Sequence, residues 1–210
     1  MILPLVMAVL SLSGQSIECA SAVFAHTEAL SNKAGLKVVL QVHADDDHSK
    51  ESHLCMTEYA FLLVRPDGSS KERKFDMIDD AWGRSIKFWV DGFARQGQRV
   101  IATIVEGGDP PIFETVVYNL QTGTVQDFYA PPRFLTTLQP SCRESLRAIG
   151  MTREGHPVIG TKATECDGVA DAWELKPSPP VHDIQNSKYP VRLTDRSRIE
   201  LLETGSSSSN

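Results

Sequence analysis

Three of the six histidines and four carboxylates crowd one stretch, His43-Ala44-Asp45-Asp46-Asp47-His48-Ser49-Lys50-Glu51-Ser52-His53. Imidazole nitrogens and carboxylate oxygens are the groups that Zn²⁺ and other divalent ions take as ligands. His43, Asp45, Asp47, His48 and His53 are therefore the candidate metal ligands. A metal held there would polarise a carbonyl or activate a water, the chemistry of a metal-dependent hydrolase. The histidines recur at intervals of five, which is not the spacing of a zinc signature. Asp45 and Asp47 share the interval of a calcium loop, but the glycine and the distal glutamate of an EF-hand are missing. Asp also favours solvated turns. The stretch thus reads first as a polar loop between strands and second as a divalent-metal site, with no other cofactor expected.

Other constellations offer less. Asp76, Asp79 and Asp80 form an acidic patch that could meet a cation or a basic partner, but a polar turn explains them as well. Trp82, Phe88, Trp89, Phe93 and Trp173 could stack on sugar rings or on a partner, although aromatics at strand spacing are expected in the core. There is no Gly-x-Ser-x-Gly elbow. Ser141-Cys142-Arg143 has no neighbouring His to make it a nucleophile site. Catalysis therefore has no positive support in the sequence. The balance of 21 Lys+Arg against 27 Asp+Glu argues against a nucleic-acid partner, which would need a basic surface. A protein or carbohydrate ligand suits the chain better.

The elements that would position these residues begin at the N-terminus. Residues 1–17 carry no charged side chain. Their apolar centre, residues 2–12, falls short of the roughly 20 residues that span a bilayer and fits the core of a secretory signal. Residues 1–16 are read as that signal, with cleavage after Ser16 or after Ala22. No lipidation motif precedes Cys19, and no second apolar run approaches membrane length. The expectation is a secreted protein, periplasmic or extracellular, that does not span the membrane. Four cysteines in an exported chain suggest two disulfides. Residues 143–151 and 156–164 read as a hairpin. If Glu154 and Gly155 were its loop, Cys142 and Cys166 would fall within one position of facing each other. Cys19 and Cys55 are then the remaining pair.

Hydrophobic residues at 41% and charged residues at 23% are those of a globular chain. Residues 18–33 read as one short helix. Beyond them the spacing is that of strands, over 36–43, 54–65, 85–90, 99–106, 112–120, 124–129, 143–151, 156–164 and 169–175. The near-continuous apolar run over 99–106 suggests a strand covered on both faces. Residues 17–176 are expected to form one β domain. A Pro-rich linker over 177–190, one last strand within 191–203 and a disordered Ser-rich tail over 204–210 follow.

The segment from Gly92 to Thr103 lines up with that from Gly150 to Thr161, 58 residues later. Each has a turn with Gly, an apolar strand, and a later strand ending aromatic-x-Leu, as in Tyr118-Asn119-Leu120 and Trp173-Glu174-Leu175. Residues 85–175 resemble blades of the TolB-type, WD-repeat-like β-propellers, in which a strand ends in a Tyr-x-Leu-x-x-Gly turn like Tyr118-Asn119-Leu120-Gln121-Thr122-Gly123. The resemblance implies four-stranded antiparallel units. A closed propeller takes at least about four blades, and the length allows about three. The class is mainly β: a compact antiparallel sandwich, or a meander of propeller-like units. The reading for function is an exported, non-catalytic binding or structural module, with the metal site as the alternative. Its oligomeric state is left open.

Overall fold

The computed structural model describes residues 27–45, 56–76, 86–106, 111–161, 172–177, 190–193, 196–204 and 206–207. Alternating apolar positions make three successive antiparallel meanders. The first is β1 (Thr27–Ser31), β2 (Lys37–Asp45), β3 (Met56–Val64) and β4 (Ser70–Asp76). The second is β5 (Ile86–Ala94), β6 (Arg99–Glu106), β7 (Ile112–Asn119) and β8 (Val125–Ala130). Two short helices, α1 (Pro132–Leu135) and α2 (Pro140–Glu144), lead to the third. It contains β9 (Leu146–Thr152), β10 (Pro157–Thr161), β11 (Ala172–Glu174) and β12 (Val191–Leu193).

The rest of the chain ties the three sheets together. After a 3₁₀ turn at Arg196–Arg198, β13 (Ile199–Leu201) pairs with β9, on the edge of the third sheet opposite β12. Glu203 then bridges Phe93 of β5. Finally β14 (Ser206–Ser207) pairs with Leu30 and Ser31 of β1. One C-terminal strap thus runs along the first strand of every meander.

The middle sheet has two buried faces. Val90, Phe93, Val100, Ala102, Ile104, Val116 and Tyr118 pack with Leu40, Tyr59 and Phe61 of the first sheet. Phe61 and Tyr118 stack with ring centroids 5.2 Å apart. Ile101, Phe113, Val117 and Phe128 pack with Leu146, Met151, Ile159 and Trp173 of the third sheet. Successive residues of β6 therefore enter opposite cores, which explains its unbroken apolar run. At the periphery Lys71, Glu72, Arg73 and Lys74 of β4 are exposed. A charged edge of this kind discourages pairing with other chains.

The mainly β class and most strand positions are those expected, and four details differ. Thr27–Ser31 is a strand, not part of a helix, because its backbone pairs along β2 over its full length. β4 was not anticipated, since its charged sequence lacks alternation. The expected single last strand is two, β12 and β13, on opposite edges of one sheet. The tail expected to be disordered includes β14, which pairs antiparallel with the edge strand β1. Among the described residues, no helix is long and apolar enough to cross a membrane.

Candidate functional site

His43 and Asp45 lie near the end of β2, with His43 paired to Glu58 and Asp45 to Met56. Glu58 pairs in turn with Asp76, so the backbone register sets His43, Glu58 and Asp76 in one row. Asp47, His48 and His53 lie outside the described residues, as do Asp79, Asp80 and Trp82. Among the described residues, no group of three His, Cys, Asp or Glu is placed to hold a metal ion. Phe88, Phe93 and Trp173 are buried, as expected of core aromatics. Trp89 is half-buried, with the Arg147 guanidinium 3.0 Å from its ring centroid.

Cys142 is only 3% exposed and is not a free thiol. Cys19, Cys55 and Cys166 lie outside the described residues. The hairpin that was to align Cys142 with Cys166 has a different turn. Gly155 N–H donates to Thr152 O, and Thr152 N–H to His156 O, which makes a three-residue loop with Gly155 at φ +96°. Met151 therefore faces Pro157, one residue off the two-residue expectation, and a bulge before Ile159 adds a second shift. Cys142 itself sits on α2, ahead of the strand.

The structure assembles a polar seam between the second and third sheets. Its centre is His156, whose Nδ1 lies 2.6 Å from Glu174 Oε1, with the two side chains 22% and 15% exposed. His156 stands at the end of the β9–β10 turn and Glu174 on β11, so the antiparallel sheet brings them together. The Phe128 ring of β8 packs beside the imidazole at 6.3 Å. A carboxylate on one ring nitrogen fixes the imidazole's orientation and leaves Nε2 as the working atom, the arrangement of a general base or a metal ligand. Arg99 of β6 lies over Gly155, where a Cβ would come within 2.7 Å of its Nη1. Arg95 reaches across from the β5–β6 turn, donating from Nη2 to Thr152 O at 2.9 Å and to Arg153 O.

Deeper in the seam, a bulge between Val90 and Gly92 sets Asp91 apart from the β5–β6 ladder. Thr103 Oγ1 donates to Asp91 Oδ2 at 2.6 Å and accepts from the Ala148 N–H at 3.2 Å, joining β5, β6 and β9. Towards the first sheet, Glu114 is 1% exposed, and beside it burial pushes the Asp127 carboxyl above the usual carboxylate range. The neighbouring Glu114 side chain opposes that shift by less.

Sequence reasoning missed the His156–Glu174 pair. The only local signal was a lone His at a hairpin turn, and its carboxylate comes from a strand 18 residues on. No family model, no curated protein and no solved structure matches the chain.

Proposed function

We propose that the chain is an exported, non-catalytic β module that binds or organises a protein or carbohydrate partner outside the cytoplasm. The observation that carries the export part is Cys142, buried and not a free thiol, immediately before β9. A disulfide in a chain with a signal-like start is the mark of an oxidising compartment. Cys166 is the proposed partner, with Cys19 and Cys55 as the second pair. Three consecutive four-stranded meanders support the likeness to TolB-type or WD-repeat-like blades. So do bulges at Asp91 of β5 and Ile149 of β9, each one residue before its aligned segment. Peptide mapping of the secreted protein without reduction tests the proposal. The expected result is a linked Cys142–Cys166 peptide and an N-terminus at Ile17 or Val23. An intact residue 1 together with four free thiols would contradict it.

A second reading is divalent-metal binding at His43, Asp45, Asp47, His48 and His53, supported by the density of imidazoles and carboxylates in that stretch of the sequence. Elemental analysis of the purified protein tests it. Bound metal and a Tm raised by Zn²⁺ are expected, whereas a metal-free protein with an unmoved Tm would remove this reading.

A further inference from the structure

We propose that Arg99 and the outer nitrogen of His156 receive an oxyanion at the rim of the seam between the second and third sheets, a carboxylate or sulfate group carried by the partner. The partner rests on the binding-module reading; the chemistry rests on the site itself. Arg99 opens β6 and is half-buried. Among the described residues its guanidinium has one acceptor, the Met151 sulfur, 3.7 Å from Nη1. A thioether accepts weakly. No carboxylate of the described residues lies within ion-pair distance of it. Its Nε and Nη2 atoms are not sealed from solvent. A rigid charged fork is therefore held in place with no oxygen to receive it.

The fold leaves room for that fork on purpose-shaped backbone. A Cβ at Gly155 would lie 2.7 Å from Arg99 Nη1, 3.6 Å from Cζ and 3.7 Å from Nη2, so the group lies against a bare turn. The next residue of the same turn is His156. Its Nδ1 is taken by Glu174 at 2.6 Å, which fixes the ring, and its Nε2 is open to solvent. Guanidinium and imidazole thus flank one stretch of backbone and open on the same rim. The fork suits paired N–H···O bonds to carboxylate or sulfate oxygens. An imidazole protonated at Nε2 adds one more donor.

The surrounding charges single out Arg99. Arg95 has Glu200 at 3.6 Å, and His156 has Glu174. Glu154 is exposed and turned back on its own loop, where hydrogen bonds from its own backbone N–H and from Thr152 hold its carboxyl below the usual range. Arg153, exposed on the same turn, adds to the positive field. A cation would meet the Arg99 charge at close range, so the rim selects anions. Because Nδ1 faces a carboxylate, Nε2 donates only when the ring carries both protons. An anion at the rim therefore arrives together with a proton.

Titrating the full chain with sodium sulfate and, separately, sodium acetate tests the site without any partner, with NaCl holding the ionic strength constant. The His156 ring is followed by NMR and assigned by its loss in His156→Asn. The expected result is a saturable shift of that ring, with tighter binding at about pH 6 than at about pH 8. The salt that binds more tightly tells which group the partner carries. Arg99→Gln should weaken binding about tenfold or more, while Arg153→Gln should stay within about twofold. Arg99→Lys keeps the charge and gives up the fork, so it should fall between them, and it decides the matter if Arg99→Gln does not fold. A ring that responds no more than in NaCl, an equal response in Arg99→Gln, or equal affinity at both pH values would overturn the oxyanion site. The binding-module reading would still stand or fall on its peptide map, so the two fail separately.

Discussion

The β5–β6 and β9–β10 hairpins have aligned sequences, Arg95-Gln96-Gly97 and Arg153-Glu154-Gly155, yet they turn differently. In the second, Gly155 alone takes positive φ. In the first, Arg95, Gln96 and Gly97 all do, at 56°, 55° and 81°. Left-handed backbone at a non-glycine residue costs about 1–2 kcal/mol, so something must hold the first turn. The holder is visible. Arg95 N–H donates to Glu200 Oε1 at 2.6 Å, its Nη1 lies 3.6 Å from Glu200 Oε2, and its Nη2 meets the carbonyls of the other hairpin. The Arg153 side chain is exposed and, among the described residues, makes no counterpart of these guanidinium contacts. One hairpin is set by its own sequence and the other by the strap and the neighbouring sheet.

The largest break in this contrast comes at the strap's closest approach. Gly150→Val forces a side chain into Ile199 and Glu200, and overpacking of this kind costs about 1–3 kcal/mol or more. A clear loss in the urea midpoint is expected, whereas Ile149→Val, at the neighbouring position, should change it little. Next comes Arg95→Ala, which removes the guanidinium contacts to Glu200, Thr152 O and Arg153 O while keeping the N–H bond to Glu200 and the strained turn. We expect a loss of about 2 kcal/mol, against less than about 0.5 kcal/mol for the exposed Arg153→Ala. Equal effects in the two variants would erase the distinction between the hairpins.

A pH prediction follows from Asp127. Its carboxyl is raised in the folded state by burial, so the native protein holds the proton to higher pH than the unfolded chain does. Its contribution is fullest below the ordinary value of 3.8 and is lost as pH rises through the folded value. Asp127→Asn should therefore raise Tm at pH 7, and the gain should shrink as pH falls towards 4. A gain independent of pH would mean that the carboxyl is not protonated on folding. The smallest effect is at Gln96, where glycine relieves a left-handed residue. Gln96→Gly should stabilise by up to about 1 kcal/mol, whereas Glu154→Gly, in the turn without that strain, should not.

Much of the β framework was legible because it rests on local pattern. The apolar run over Arg99–Glu106 pointed to a strand covered on both faces, and β6 is one. What stayed hidden depended on partners remote in sequence. Thr27–Ser31 is a strand because β2 and β14 flank it, and its own residues carry no alternation strong enough to say so. Ser206–Ser207 reads as a solvated tail until an edge is there to receive it. Likewise Gly92 and Gly150 marked a repeat in the sequence, but their reason is the strap that passes over them. The His156–Glu174 pair required the register of β10 against β11, which no local motif encodes.

The central structural claim is that one C-terminal strap fastens all three sheets as a unit. Amide hydrogen exchange in Gly150→Val tests it most directly, because the substitution acts on β9 while the readout lies elsewhere. Phe93 N–H and Glu203 N–H pair the strap with β5, and Ser206–Ser207 pairs it with β1. Loosening the strap at β9 should lower protection at Phe93, Glu203 and the β1–β14 pair together, while the β6–β7 ladder keeps its protection. Unchanged protection at Phe93 and Glu203, with loss confined to β9 and β13, would contradict it.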